Sequence, residues 1–239
     1  MASPASAVLS RRWALPPVVI ADGTIEALKW MGIVLMMLDH ANKFLYDGQF
    51  PWMFQAGRVV MPLFTFVLAY NLSRPDALAR GAYRRTALRL CVYGLVATLP
   101  FVAIKGAIVY GWPLNILFTL LLSTLIIWML DQRKPRMMWL IVPLFVLGGM
   151  LPEFWHMGVA GTVAAWYFCR NPRVESLAVW VLMLAALWPI NQNYYALAVL
   201  PLLYVATRVN FHVPRYRHVF YVFYPAHLAV IWVLQVLAR

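Results

Sequence analysis

The chain has 239 residues, of which 64% are hydrophobic and 12% charged, against about 25% charged in an average soluble domain. With 11 Trp, 12 Tyr and 13 Phe and a mean hydropathy of +0.73, the chain is built to face lipid, which excludes a soluble enzyme and a disordered chain. Twenty basic against 8 acidic residues give a net charge of +12. In a membrane protein that excess reports basic loops rather than a nucleic-acid partner.

Residues 1–23 read as a cytoplasmic or interfacial tail. Arg11 and Arg12 follow the first apolar stretch and Pro16-Pro17 breaks the next, the wrong order for a cleavable signal. Residues 24–239 read as a single integral-membrane domain. Its apolar runs fall near 27–46, 53–72, 86–104, 113–130, 137–151, 154–169, 174–190, 193–207 and 219–238. A helix needs about 20 residues to cross a bilayer, so the shorter runs predict tilted, buried or partly re-entrant helices. Continuous apolar runs are helical, because barrel strands alternate. The expected architecture is an all-α polytopic bundle of about nine helices.

Placing the N-terminus in the cytoplasm puts 15 of the 20 Lys and Arg on that side, with Lys43, Lys105 and Arg239 opposite and Lys29 and Arg58 within spans. That asymmetry predicts N-terminus inside and C-terminus outside. Cys91 and Cys169 both lie in apolar runs and read as small buried hydrophobes.

Ionisable groups at membrane depth are costly and usually face a cavity or a partner. The first span holds Lys29, Asp39, His40 and Asn42. Lys29 and His40 are eleven residues apart, about 20° from full register on one helix face and roughly 16 Å along it. Asp39 lies about 100° around from His40, so its natural partner is Lys43 or Arg58. Gly57 precedes Arg58 and Pro62 follows it, which predicts a kinked second span with the arginine turned inward or snorkelling. Asn115 and Thr119 share a face, Glu153 and His156 sit three apart, and the last span carries Tyr221, Tyr224 and His227. No HExxH, CxxC, Walker loop or GxGxxG occurs. The spacing of His40, Glu153 and His156 matches no zinc pattern, so no metal is expected.

The segments Leu28–Asn42 and Gly57–Tyr70, the latter containing Gly-Arg-x-x-x-Pro, resemble the TraX family of conjugative pilin acetylation proteins, and Asn115–Ser123 and Glu153 with Gly158-Val are similar too. The resemblance implies a bacterial inner-membrane acyltransferase that uses acetyl-CoA and acts on the N-terminal amine of a pilin subunit. It implies His40 as general base, with Asp39 or Glu153 as a tuning carboxylate, Arg58 for the oxyanion or for Asp39, and His227 as a competing base. Imidazole suits base catalysis because it titrates near neutral pH. The polyanionic end of coenzyme A is expected at Lys29, Arg84, Arg85 and Arg89, with Asn115 also in the donor site. A glycan or lipid head-group acceptor, a transporter and a non-enzymatic pilus assembly factor are the alternatives.

Overall fold

The computed structural model describes residues 13–105, 112–216 and 218–238. Arg11, Arg12, Arg217 and Arg239, counted in the charge asymmetry, lie outside the described residues. Among those described there is no β-strand. Nine helical units among the described residues match the nine apolar runs: α1 (Asp22–Leu45), the broken pair α2 (Pro51–Gly57) and α3 (Val60–Ser73), α4 (Ala82–Lys105), α5 (Ile116–Gln132), α6 (Pro135–Gly148), α7 (Trp155–Arg170), the pair α8 (Val174–Ala185) and α9 (Trp188–Asn191), a 3-10 turn at Tyr195–Ala198 that runs into α10 (Val199–Ala206), and α11 (Val219–Leu237).

Four stretches, Pro51–Ser73, Ala82–Lys105, Val174–Asn191 and Val219–Leu237, are long and apolar enough to cross a membrane. Helix α1 is as long but carries Glu26, Lys29, Asp39 and Lys43, with Glu26 buried inside the bundle. The protein is a helical membrane bundle. Its outer faces are apolar: Leu88, Val92, Leu95 and Leu99 line one side of α4, and Trp139, Val142 and Leu147 cover α6, none of whose residues is buried.

Packing follows the distribution of small residues. Helix α7 lays Gly158, Thr162 and Ala165 against α3, and a Cβ on Gly158 would come within 2.9 Å of Met61 Cε and 3.0 Å of Thr119 Cγ2. Small residues let helix backbones approach where lipid supplies no hydrophobic drive. Around this contact lies the larger core, with Leu63, Phe66, Ala69, Leu72 and Val199 almost fully buried. A second core joins α4, α5 and α11 through Leu90, Ala97, Leu117 and Leu228. Pro51 and Pro135 open their helices, where a missing N–H costs nothing.

Polar ties fix the connections. Ile20 is sewn to α3 through the Tyr70 hydroxyl, which accepts from its N–H at 2.9 Å and donates to its carbonyl at 3.1 Å. Thr24 Oγ1 donates to Val209 O (2.9 Å) and accepts from the Phe211 N–H (3.1 Å). That pair holds the loop before α11 against the start of α1. Asn42 locks the turn after α1 by bonding both the N–H and the carbonyl of Phe50.

Candidate active site

A cavity of about 620 Å³ runs between α1, α3, α4, α5 and α11. At its Lys29 end the walls carry Lys29, Arg74, Arg80, Arg85, Arg89 and Arg215. At its His40 end they carry Asp39, His40, Lys43, Arg58, Lys105 and Glu153. Between the two, the wall is built from residues such as Ile33, Met36, Phe64, Leu117, Leu120 and Leu228. Lys29 and His40 therefore face one space, as their spacing on α1 predicts.

Each end is organised by specific contacts. The break between α2 and α3 falls at Arg58 and Val59, one residue after Gly57 and three before Pro62. This break turns the guanidinium inward. Nη2 donates to both Asp39 oxygens (2.8 Å each), Nη1 to Asn191 Oδ1 (3.3 Å) and Nε to Phe54 O (3.2 Å). Arg58 thus clamps α1, α2 and α9 together. Its side chain is 14% exposed and that of Asp39 15%, so the pair is shielded while still facing the cavity.

His40 is not paired with a carboxylate. Asp39 is bound by Arg58, and Glu153 bonds Lys105 at 2.5 Å. The partner of His40 is His227, whose Nε2 lies 2.8 Å from His40 Nδ1. His227 Nδ1 donates to the Phe223 carbonyl at 3.0 Å. The two imidazole planes lie within 12° of each other, and Phe223 and Tyr224 pack around the His227 ring. The expectation of a carboxylate beside His40 is corrected here, because each acid is bonded to a cation of its own.

At the other end, Lys29 bonds Glu26 at 2.5 Å and lies 4.2 Å from the Phe220 ring centroid. Arg74 pairs with Asp22. Arg85 and Arg89 are four residues apart, share a helix face and both line the cavity. Arg84 is 100° around, exposed and off that wall, so its place in the donor site is corrected. Asn115 is corrected too. It is 1% exposed, caps α5 by accepting from Leu117 N–H (3.1 Å) and donates to Gly94 O of α4 (2.9 Å), which makes it a helix-to-helix tie. His156 donates from Nε2 to Val146 O at 3.0 Å, or about one hydrogen-bond length. It does not converge with His40 and Glu153.

Sequence reasoning missed Arg74, Arg80 and Arg215, which lie in or beside connections, and Asn191 at the end of the α8–α9 run. It also missed the His40–His227 contact, which joins residues 187 apart.

The TraX protein family matches residues 24–235 of this chain. The chain belongs to the TraX family. A Protein TraX from Escherichia coli is 29% identical over 238 residues, covering 93% of this chain and 91% of that relative. A Protein TraX from Escherichia coli strain K12 is 41% identical over 73 residues, 30% of this chain and 29% of the relative. No solved structure matches. The TraX match spans every element that lines the cavity, from α1 through most of α11.

Proposed function

We propose that this protein is an acetyltransferase of the bacterial inner membrane, taking acetyl-CoA from the cytoplasm and acylating an amine, the N-terminus of a conjugative pilin subunit. The observation that carries this reading is the single cavity with a crowd of cations at one end and a histidine at the other. Coenzyme A is a long molecule with phosphates at one end and a thioester at the other. Lys29, Arg85, Arg89 and Arg215 suit the phosphates, since charge-assisted contacts to phosphate are strong and directional. The apolar middle suits an extended arm, and the thioester then lies near His40.

In this scheme a neutral amine attacks the thioester carbonyl while His40 removes its proton. The carbon–sulfur bond breaks, the thiolate takes the proton back from His40, and the products are an acetylated amine and free coenzyme A. General-base assistance of this kind contributes about 10²–10⁴ in rate. Arg58 lines the same cavity as His40, and its contacts to Phe54, Asn191 and Asp39 leave one Nη1 N–H to serve as a donor for the developing oxyanion. The basic loops argue that the Lys29 end is cytoplasmic, which delivers the acetyl group to the far side, where a secreted pilin exposes its N-terminus.

The test is transfer itself. Purified protein in lipid nanodiscs, given labelled acetyl-CoA and a synthetic pilin N-terminal peptide, should label the α-amine, and a peptide blocked at that amine should stay unlabelled. Label on envelope glycan or lipid instead would replace the acceptor. No acyl transfer to any of the three would remove the acyltransferase reading.

A further inference from the structure

The contacts of His227 determine which nitrogen of His40 is available for chemistry. The Phe223 carbonyl carries no proton, so the 3.0 Å contact with His227 Nδ1 requires the hydrogen on that nitrogen. A neutral His227 then has its lone pair on Nε2. That atom is 2.8 Å from His40 Nδ1, and the contact is a hydrogen bond only if His40 Nδ1 supplies the proton. His40 is left with its lone pair on Nε2.

We infer that His227 is a positioning residue that holds His40 in the Nδ1–H tautomer, so that Nε2 is the nitrogen that takes the acceptor's proton. This rests on the acyltransferase reading for its catalytic consequence, but the tautomer itself does not. The arrangement has the logic of a serine-protease triad, where an aspartate orients the base through Nδ1–H, with a neutral imidazole in the aspartate's place. The charged groups around the pair explain why no acid does this. Asp39 is bound by Arg58 and Glu153 by Lys105, while Lys43 lines the same end of the cavity with no acidic partner among the described residues. His227 is 8% exposed and packed against Phe223 and Tyr224, which holds its ring orientation.

The proton count closes. The amine's proton goes to His40 Nε2, the Nδ1 proton stays in the bond to His227, and the Nε2 proton leaves with the coenzyme A thiolate. His227 ends each cycle as it began.

Two measurements on the full-length protein test this. Nitrogen-15 NMR of histidine-labelled protein in nanodiscs, with His40→Gln and His227→Gln used to assign signals, should give both residues as Nδ1–H tautomers. His40 found as the Nε2–H tautomer overturns the inference whatever the enzyme does. In transfer assays, His227→Phe should lower kcat about 10–100-fold, less than the roughly 10⁴ lost with a charged triad partner, with KM for acetyl-CoA unchanged and the pH–rate profile displaced. His227→Gln keeps an acceptor oxygen and should recover part of the rate. Unchanged kcat and pH profile in His227→Phe also overturn it. A His227→Phe chain that fails to fold leaves the wild-type tautomer and the Gln variant to decide. Correct tautomers with no transfer in the wild type would sink the proposed function and leave this geometry standing.

Discussion

Gly57 and Asp39 are in mutual contact across the first two helical units. A Cβ on Gly57 would lie 2.5 Å from Asp39 Cβ, Cγ and Oδ1. Glycine is therefore what allows the aspartate to reach Arg58. Gly57→Ala pushes the carboxylate off the guanidinium, and overpacking of this kind costs about 1–3 kcal/mol. Thermal unfolding in detergent should show the loss, and Gly57→Ala should cost less in an Asp39→Gly background, which removes the atoms the new Cβ meets, than in the wild type. Simple additivity would mean that the contact is not the cause.

Breaking the ion pair itself should be more severe. Arg58→Ala leaves Asp39 shielded and unpaired, a change worth about 3–5 kcal/mol in buried pairs. Arg58→Lys keeps the charge but cannot reach Asp39, Asn191 and Phe54 O together, so it should be intermediate. A double-mutant cycle between Arg58 and Asp39 reads the coupling directly.

The donor end makes a prediction that separates adjacent residues. Arg89→Ala should weaken acetyl-CoA binding roughly ten- to a hundredfold, the equivalent of losing about 1.5–3 kcal/mol from a contact to a charged group. Arg84→Ala should leave it unchanged, because Arg84 faces away from the cavity. Equal effects from both, by equilibrium binding to purified protein, would return the arginines to a purely topological role.

His40→Gln should lower acetyl transfer by about 10²–10⁴ while leaving acetyl-CoA affinity and membrane insertion intact, because a base acts in the transition state. Retained turnover in His40→Gln alongside loss in His227→Gln would transfer the base role to His227.

Reporter fusions address orientation. A periplasm-active enzyme fused after Arg239 should be active and the same fusion after Arg136 silent. The reverse pattern would invert the cavity and with it the direction of the proposed acyl delivery.

The helices were legible because lipid leaves an apolar run few alternatives to helix. Helix α1 begins five residues before its apolar run, since polar Thr24 is held by the loop carrying Val209 and Phe211 and Glu26 is paired with Lys29. The Arg58–Asp39 pair was legible only as one of two options, since Lys43 one turn on was an equal partner for Asp39, and the structure takes Arg58. Helical phase separates Arg84 from Arg85 and Arg89. Asn115 falls inside the apolar run read at 113–130, and only the start of α5 at Ile116 shows it as an N-cap. The His40–His227 bond had no local signal, since nothing in one sequence says which helix comes to lie beside α1. Arg74, Arg80 and Arg215 were illegible for a related reason: residues in connections obey no period.

The apolar middle of the cavity bears on energy conservation. Ile33, Phe64, Leu117, Leu120 and Leu228 put apolar side chains in the cavity wall between its two charged ends, and hydrophobic constrictions oppose ions by dewetting. A carbon chain is at home in that same stretch. Under the proposed function, the same walls that would take a pantetheine arm would also insulate, so that acyl transfer across the bundle would not discharge the membrane.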